Sequence, residues 1–243
     1  MTTTASAAGS APAPKNLLAR FIGIITAPRA TFEAVAASPK VLGMLLVVSI
    51  LTAVFSALPM TTDAGKQATI EQQVQSMQSL GFQVNDQMYD QMQKGAARLP
   101  YTTGIGAFVF IPIVSLIFAG ILFAIFNAAL GGEASFKQVY SVYIHSGVIG
   151  TLSAMLSGVV NYFSGRVGSV ANLGALLPML PEKSFGANLL GTVDIFIIWS
   201  VIVLAIGLGV LYKRRTQPIA ISLLSVYAVI ALAIALLKSR GGA

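Results

Sequence analysis

Residues 41–60 carry no charged side chain, and a run of that length is what an α-helix needs to cross the roughly 30 Å hydrocarbon core of a bilayer. Further apolar runs at 103–130, 139–163, 189–212 and 219–237 bring the expected number of spans to five. In lipid every backbone polar group has to be satisfied without water, which leaves helices or a closed barrel. Apolar runs near 20 residues select helices. The expected fold class is therefore all-α: a polytopic integral membrane helical bundle with five transmembrane helices, an amphipathic N-terminal arm and a helical extracytoplasmic insert. With 56% of residues hydrophobic and only 9% charged, the chain is far from the balance of a soluble domain.

Residues 1–15 are Thr, Ala, Ser, Gly and Pro up to Lys15, which reads as a disordered tail; no basic start leads directly into an apolar core, as a signal peptide requires. Residues 16–38 form the arm. Leu17, Leu18, Phe21, Ile22 and Ile25 are interrupted by Arg20, and Pro28 divides the segment into two short helices suited to the membrane surface or to packing on the bundle. The remainder, 39–238, is one membrane domain, with Ser38 and Pro39 read as cap and opening of the first span. Its insert, 61–100, reads as two helices: Ile70, Val74, Met77 and Leu80 recur at helical spacing before Gly81, and Asn85 caps the second.

The net charge of +7 is read as membrane-surface and orientation charge, since no basic stripe with interleaved aromatics suggests nucleic acid. Five spans put the termini on opposite sides. Lys213-Arg214-Arg215 fill a very short loop, and Arg29 and Lys40 flank the first span, so the positive-inside rule favours a cytoplasmic N-terminus and an extracytoplasmic C-terminus.

Between the second and third spans lies a short polar turn, Gly131, Gly132, Glu133, Ser135, Phe136 and Lys137, where a glycine can end one helix in the left-handed conformation and Ser135 can cap the next. Small residues recur every fourth position as Ser49, Ala53 and Ala57, as Gly120, Ala124 and Ala128, and as Gly150, Ala154 and Gly158. Such stripes let helix backbones approach closely where lipid gives helices no hydrophobic drive to associate; each fits packing within the bundle or against a second protein.

Polar groups within the spans are the remaining places for chemistry: Asp194, His145, Asn127 and Asn161, with Ser146, Ser153 and Ser157. An ionisable residue in a span is a functional hypothesis by default. Asp194, however, lies little more than a turn past a helix start near Asn188, where the helix dipole favours a carboxylate. Methionines 77, 88 and 92 can be imagined around a soft ion, but Met at helical spacing is ordinary packing. Without cysteine there is no disulfide or thiolate site, and a single histidine makes no dedicated metal centre. His145 and Ser146 point to different sides of one helix, and the chain has no phosphate-binding glycine loop and no carboxylate pair flanking a cleft. No cofactor and no enzymatic activity are expected.

The order of features resembles the Yip-domain membrane family, five-span proteins named for eukaryotic members that interact with Rab-type (Ypt) GTPases. The resemblance rests on Ala27-Pro28-Arg29-Ala30-Thr31-Phe32 and Ser38-Pro39 before the first span, then Gly131-Gly132-Glu133-Ala134-Ser135-Phe136-Lys137-Gln138-Val139 between the second and third. The acidic Asp-Leu-Tyr-Gly-Pro type motif of eukaryotic members is absent, so Rab binding is carried over to no residue here. The resemblance implies a bacterial-type, inner-membrane scaffold or interaction protein. Its partners would be the lipid bilayer and a membrane protein or a second copy. The competing expectation is a small-solute or ion pathway through Asp194, His145, Asn127 and Asn161.

Overall fold

The computed structural model describes residues 16–79, 81–176 and 184–240. The expected tail over 1–15, Leu80 and the turn between Pro178 and Pro181 lie outside them. Among the described residues the chain is all helix, apart from one isolated antiparallel bridge between Asn172 and Asp194. Four helical stretches are long and apolar enough to cross a membrane, and a fifth helix is apolar but only 17 residues long. The chain is thus a polytopic all-α membrane bundle.

The arm is two helices, α1 (Leu17–Thr26) and α2 (Pro28–Ala37). Asn16 caps α1 by accepting from the Ala19 N–H at 2.8 Å, and Pro28 sits in the first turn of α2, where its missing N–H costs nothing. Ile24, Phe32 and Val35 are fully buried, because α1 packs on the third span and α2 lies against the short apolar helix α10 (Ile195–Leu211). The arm is therefore docked on the bundle through Ile24, Phe32 and Val35, while Leu17, Leu18 and Ile22 of α1 stay exposed. Ser38 ends α2 instead of opening the next helix: its N–H donates to the Ala34 carbonyl, and as the residue before Pro39 it is steered away from helical geometry. The first span, α3 (Val41–Ala57), begins after Lys40 without a side-chain cap and tightens into one 3₁₀ turn, Leu58–Thr61.

The insert is α4 (Asp63–Ser79) and α5 (Asp86–Gly95). Gly81 turns the chain with φ +86°, and Asn85 caps α5 by accepting from the Met88 N–H at 2.9 Å. Gln67, Tyr89 and Gln93 tie α4 to α5 by side-chain hydrogen bonds of 2.7–3.1 Å. Met77, Met88 and Met92 are half-buried.

A short 3₁₀ turn, Ala96–Arg98, leads into the second span, α6 (Leu99–Phe123), and the chain continues as a wider π-helical stretch, Ala124–Ala129. Pro112 lies within α6, where Ser115 donates to the Pro112 carbonyl at 2.8 Å and meets the Tyr140 hydroxyl at 3.1 Å. The third span, α7 (Phe136–Ser164), is the core of the molecule; Val139, Val142, Ile144, Val148 and Ile149 are all but inaccessible, and it packs on α3, α6 and α10. Gly165 ends it in the left-handed conformation, φ +65°.

The expected fourth span over 189–212 is not one helix. It breaks at Val193-Asp194 into α9 (Phe185–Thr192) and α10, after a single turn, α8 (Leu173–Leu176). The last span, α11 (Thr216–Arg240), packs on α9 and α10. Thus α10 starts beside the loop after α7 and ends beside the turn before α7, antiparallel to it and joining the same two ends of the bundle.

Candidate functional site

Three of the four polar candidates lie at the two ends of the bundle, Asn127 at one and Asp194 and Asn161 at the other. At one end is the Leu130–Ser135 turn. The π-helical stretch brings the Leu130 N–H to the Ile125 carbonyl at 3.1 Å and the Gly132 N–H to the Phe126 carbonyl at 2.9 Å, while Gly131 takes φ +67°. Asn127 then reaches past the helix end: its Nδ2 donates to the Ala134 carbonyl at 2.6 Å and its Oδ1 accepts from the Tyr212 hydroxyl at 2.6 Å. Tyr212 also stacks on Phe126, with ring centroids 4.8 Å apart. Asn127 is thus a strut of the turn.

Two neighbours fasten the turn further. The Arg214 guanidinium donates to the Leu130 carbonyl at 2.7 Å. Ser135 and Gln138 form a reciprocal capping box at the start of α7, and Gln138 Nε2 also donates to the Ala36 carbonyl of α2 at 3.1 Å. The arm, the turn and the 213–215 loop therefore make one surface. Glu133, Ser135 and Lys137 project from it, exposed, and Glu133 and Lys137 have no ion-pair partner within 4 Å among the described residues. Phe136 is 38% exposed and packs edge-on to Phe123 and against Tyr140.

The other end is built on Asp194. Where the helix breaks, its carboxylate caps α10, accepting from the Phe196 N–H at 2.7 Å and the Ile197 N–H at 3.2 Å, and also from the Ser169 hydroxyl. The backbone freed by the break is satisfied locally, as a helix interruption in a membrane protein requires. The Leu173 N–H donates to the Val193 carbonyl at 2.8 Å and the Ile195 N–H to the Ala171 carbonyl at 3.2 Å. Tyr227 of α11 closes the gap, accepting from the Asp194 N–H at 3.0 Å and donating to the Thr192 carbonyl at 2.8 Å. Asn161 holds the same loop, donating to the Gly168 carbonyl at 2.7 Å. Asp194 and Asn161 thus share one structural network. We expect Asp194→Ala to cost about 1–2 kcal/mol as a lost cap, and Asp194→Asn, which keeps an acceptor at the cap, to cost less. Thermal unfolding of the two variants in one detergent measures the difference.

His145 belongs to neither end. It is fully buried in α7, about two and a half turns past the helix start at Phe136, with Nδ1 2.7 Å from the Ser141 carbonyl. A carbonyl only accepts, so Nδ1 carries the proton. Arg20, the charge that interrupts the arm, is also buried, and its Nη1 donates to the Ser38 carbonyl at 3.3 Å.

A cavity of about 360 Å³ lies at the Asp194 end between α3, α6 and α7, lined by Ser56, Gln72, Thr103, Ser153, Ser157 and Asn161 among others. Of the four expected pathway residues, Asn161 alone lines it. Among the described residues no cluster of three or more His, Asp or Glu is placed to hold a metal.

The small-residue stripes have three different fates. Ser49 and Ala53 are buried in α3, with the Ala53 carbonyl and the Ala57 methyl facing Gly104 of α6. Gly158 lies hard against the backbone of Phe55, yet Gly150 on the same stripe faces open space. Gly120 also faces open space, and Ala124 and Ala128 are exposed, so the stripe on α6 points out of the bundle.

The sequence profile of the Yip1 domain matches residues 22–237, nearly the whole span of this architecture from the arm to the end of α11. The chain belongs to the Yip1 domain family. It is similar to the membrane protein YknW of Bacillus subtilis (strain 168), 26% identical over 232 residues, which cover 91% of this chain and 92% of YknW. No solved structure matches it.

Within this Yip1 domain, sequence reasoning missed the partners that give the polar residues their places: Tyr212 for Asn127, and Ser169 and Tyr227 for Asp194. The burial of Arg20 had a readable signal. It shares a helix face with Gly23 and Ile24, three and four residues on, and both are buried with it.

Proposed function

We propose that this Yip1-domain protein is a non-enzymatic scaffold of a bacterial inner membrane, that it crosses the bilayer five times, and that its docking surface is the turn from Gly131 to Lys137 with the adjoining arm. The observation that carries this reading is the contrast between the turn's two sides. Its backbone is held from beneath by Asn127, Tyr212, Arg214 and Gln138, whereas Glu133, Phe136 and Lys137 project from it with the two charges unpaired among the described residues. A rigid base presenting unspent charge and an aromatic ring is what a protein contact needs. The transport reading needs a continuous polar path, and here Asn127 serves the turn, Asp194 and Asn161 serve the far loop, and His145 is bonded to its own helix.

The fifth crossing is α10, which joins the same two ends of the bundle as α7. A cytoplasmic turn follows from Lys213, Arg214 and Arg215 on the same surface. Because the chain has no cysteine, single cysteines at Glu133 and at Gln91 test the orientation directly: only the second should react with a membrane-impermeant maleimide in intact cells. Affinity capture from membranes is expected to lose its specific partners when Glu133, Phe136 and Lys137 are replaced together by alanine. Identical partners before and after would remove the turn from consideration. Solute or ion flux in reconstituted vesicles that disappears with Asp194→Asn would replace the scaffold by a transporter.

A further inference from the structure

Beside the turn, and independent of what docks on it, a groove of about 560 Å³ runs between the end of α6 and α11, within the size range of ligand sites. It exists because α6 packs on α3 and α7 while α11 packs on α9 and α10, leaving the two with little direct contact. Its walls are apolar, formed by Leu122, Ile125, Phe126, Ile219, Leu223 and Val226. Ile125 is 46% and Val226 58% exposed, so the groove opens sideways toward lipid.

Among the described residues the only charged ones lining it are Arg214 and Arg215, both at its end next to the turn. Arg214 is held in place by its bond to the Leu130 carbonyl, which occupies Nη2 and leaves the rest of the fork free. Arg215 is exposed, and neither guanidinium has a carboxylate within 4 Å among the described residues. Lys213 precedes them, also exposed. From Arg215 to Val226 the helix rises about 16 Å, so one site offers two guanidinium forks at one end and a long apolar wall below.

We propose that this groove is a binding site for an anionic glycerophospholipid, its phosphate held by Arg214 and Arg215 and one acyl chain lying along α11 against Ile219, Leu223 and Val226. Guanidinium forks match phosphate oxygens in pairs, and a basic pocket between spanning helices at headgroup depth is where an acidic lipid is retained. The wall selects a chain-bearing ligand over a free phosphate. The cluster of three cations selects an acidic headgroup over a zwitterionic one, whose ammonium it repels.

The test is native mass spectrometry of the full-length protein, purified in detergent and offered dioleoyl-phosphatidylglycerol or dioleoyl-phosphatidylcholine at equal concentration. The wild type should retain phosphatidylglycerol preferentially. Arg215→Gln, which breaks no bond of the fold, should weaken that retention roughly fivefold, and Arg214→Gln with Arg215→Gln by roughly the square of that factor. Ser222→Trp, which fills the groove without touching charge, should also reduce it, whereas Lys94→Gln with Arg98→Gln at the opposite end should not. Equal retention of the two lipids by the wild type overturns the proposal, as does unchanged retention in the double arginine variant or in Ser222→Trp. Displacement of phosphatidylglycerol by inorganic phosphate alone would reduce the site to a simple anion site and overturn it too.

Discussion

Valine in place of Gly158 is expected to lower the thermal unfolding temperature of the purified protein by roughly 6–12 °C, the shift that about 3 kcal/mol produces in a chain of this size. A β-carbon at Gly158 would stand 2.3 Å from the Phe55 carbonyl oxygen and 2.9 Å from its carbon. Those are backbone atoms of α3 and cannot rotate away as a side chain would. The helices must separate, and α3 with α7 is the most extensive helix pair of the bundle. Overpacking a tight site ordinarily costs about 1–3 kcal/mol, and the involvement of backbone puts Gly158 at the upper end. Gly120→Ala is the matched control: nothing lies within 4 Å of a β-carbon there, so stability should hold or rise slightly through helix propensity. The one tryptophan, Trp199, gives a fluorescence signal for both melts. Equal melting of Gly158→Val and wild type would mean that close backbone approach of α3 and α7 is dispensable.

The second large effect is expected at Gly132, whose neighbour Gly131 provides the contrast. Glycine is required at these two positions for different reasons. At Gly131 a β-carbon meets nothing within 4 Å, but φ is +67°, so Gly131→Ala carries the left-handed strain of about 1–2 kcal/mol and little else. At Gly132 the β-carbon would lie 2.5 Å from the Tyr212 ring and 2.7 Å from the Phe126 carbonyl oxygen, the same oxygen that accepts the Gly132 N–H. Gly132→Val should therefore expel Tyr212 from its stack on Phe126 and break its hydrogen bond to Asn127, unfastening the turn from α10. Hydrogen exchange of the 130–138 amides is expected to rise about a hundredfold in Gly132→Val, consistent with a local loss of about 3 kcal/mol, and only about tenfold in Gly131→Ala. If the two variants exchange alike, the Tyr212 contact contributes nothing to the turn.

Much of the helical framework was legible because its signals are local. Apolar run length marks the long helices, Asn85 and Ser135 mark two helix starts, and Gly81 and Gly131 mark a chain reversal and a helix end. What was not legible depends on distant partners. Residues 189–212 read as one span because Val193-Asp194 has no breaker of its own; the break is held by Ala171 and Leu173 on one side and Tyr227 on the other. Asn127 beside the turn and Asp194 near a helix start could be placed along their spans, but the partners that hold them, Tyr212 for one and Ser169 and Tyr227 for the other, are remote in sequence. The stripes show the same limit, since fourth-residue spacing marks a face without naming what covers it. A β-carbon at Gly158 would collide with the α3 backbone, while one at Gly120, on an identical spacing, would meet nothing within 4 Å.

The docking of the arm also bears on the order of synthesis. Phe32 and Val35 leave the ribosome early, but much of the surface that buries them lies on α10, and the Gln138 side chain that ties α2 to α7 comes 102 residues after Ala36. At ordinary translation speeds the arm waits roughly ten to thirty seconds for α10. During that interval its apolar face has the bilayer surface as its nearest cover, so an amphipathic peptide of the nascent chain ends as a packed element of the finished bundle.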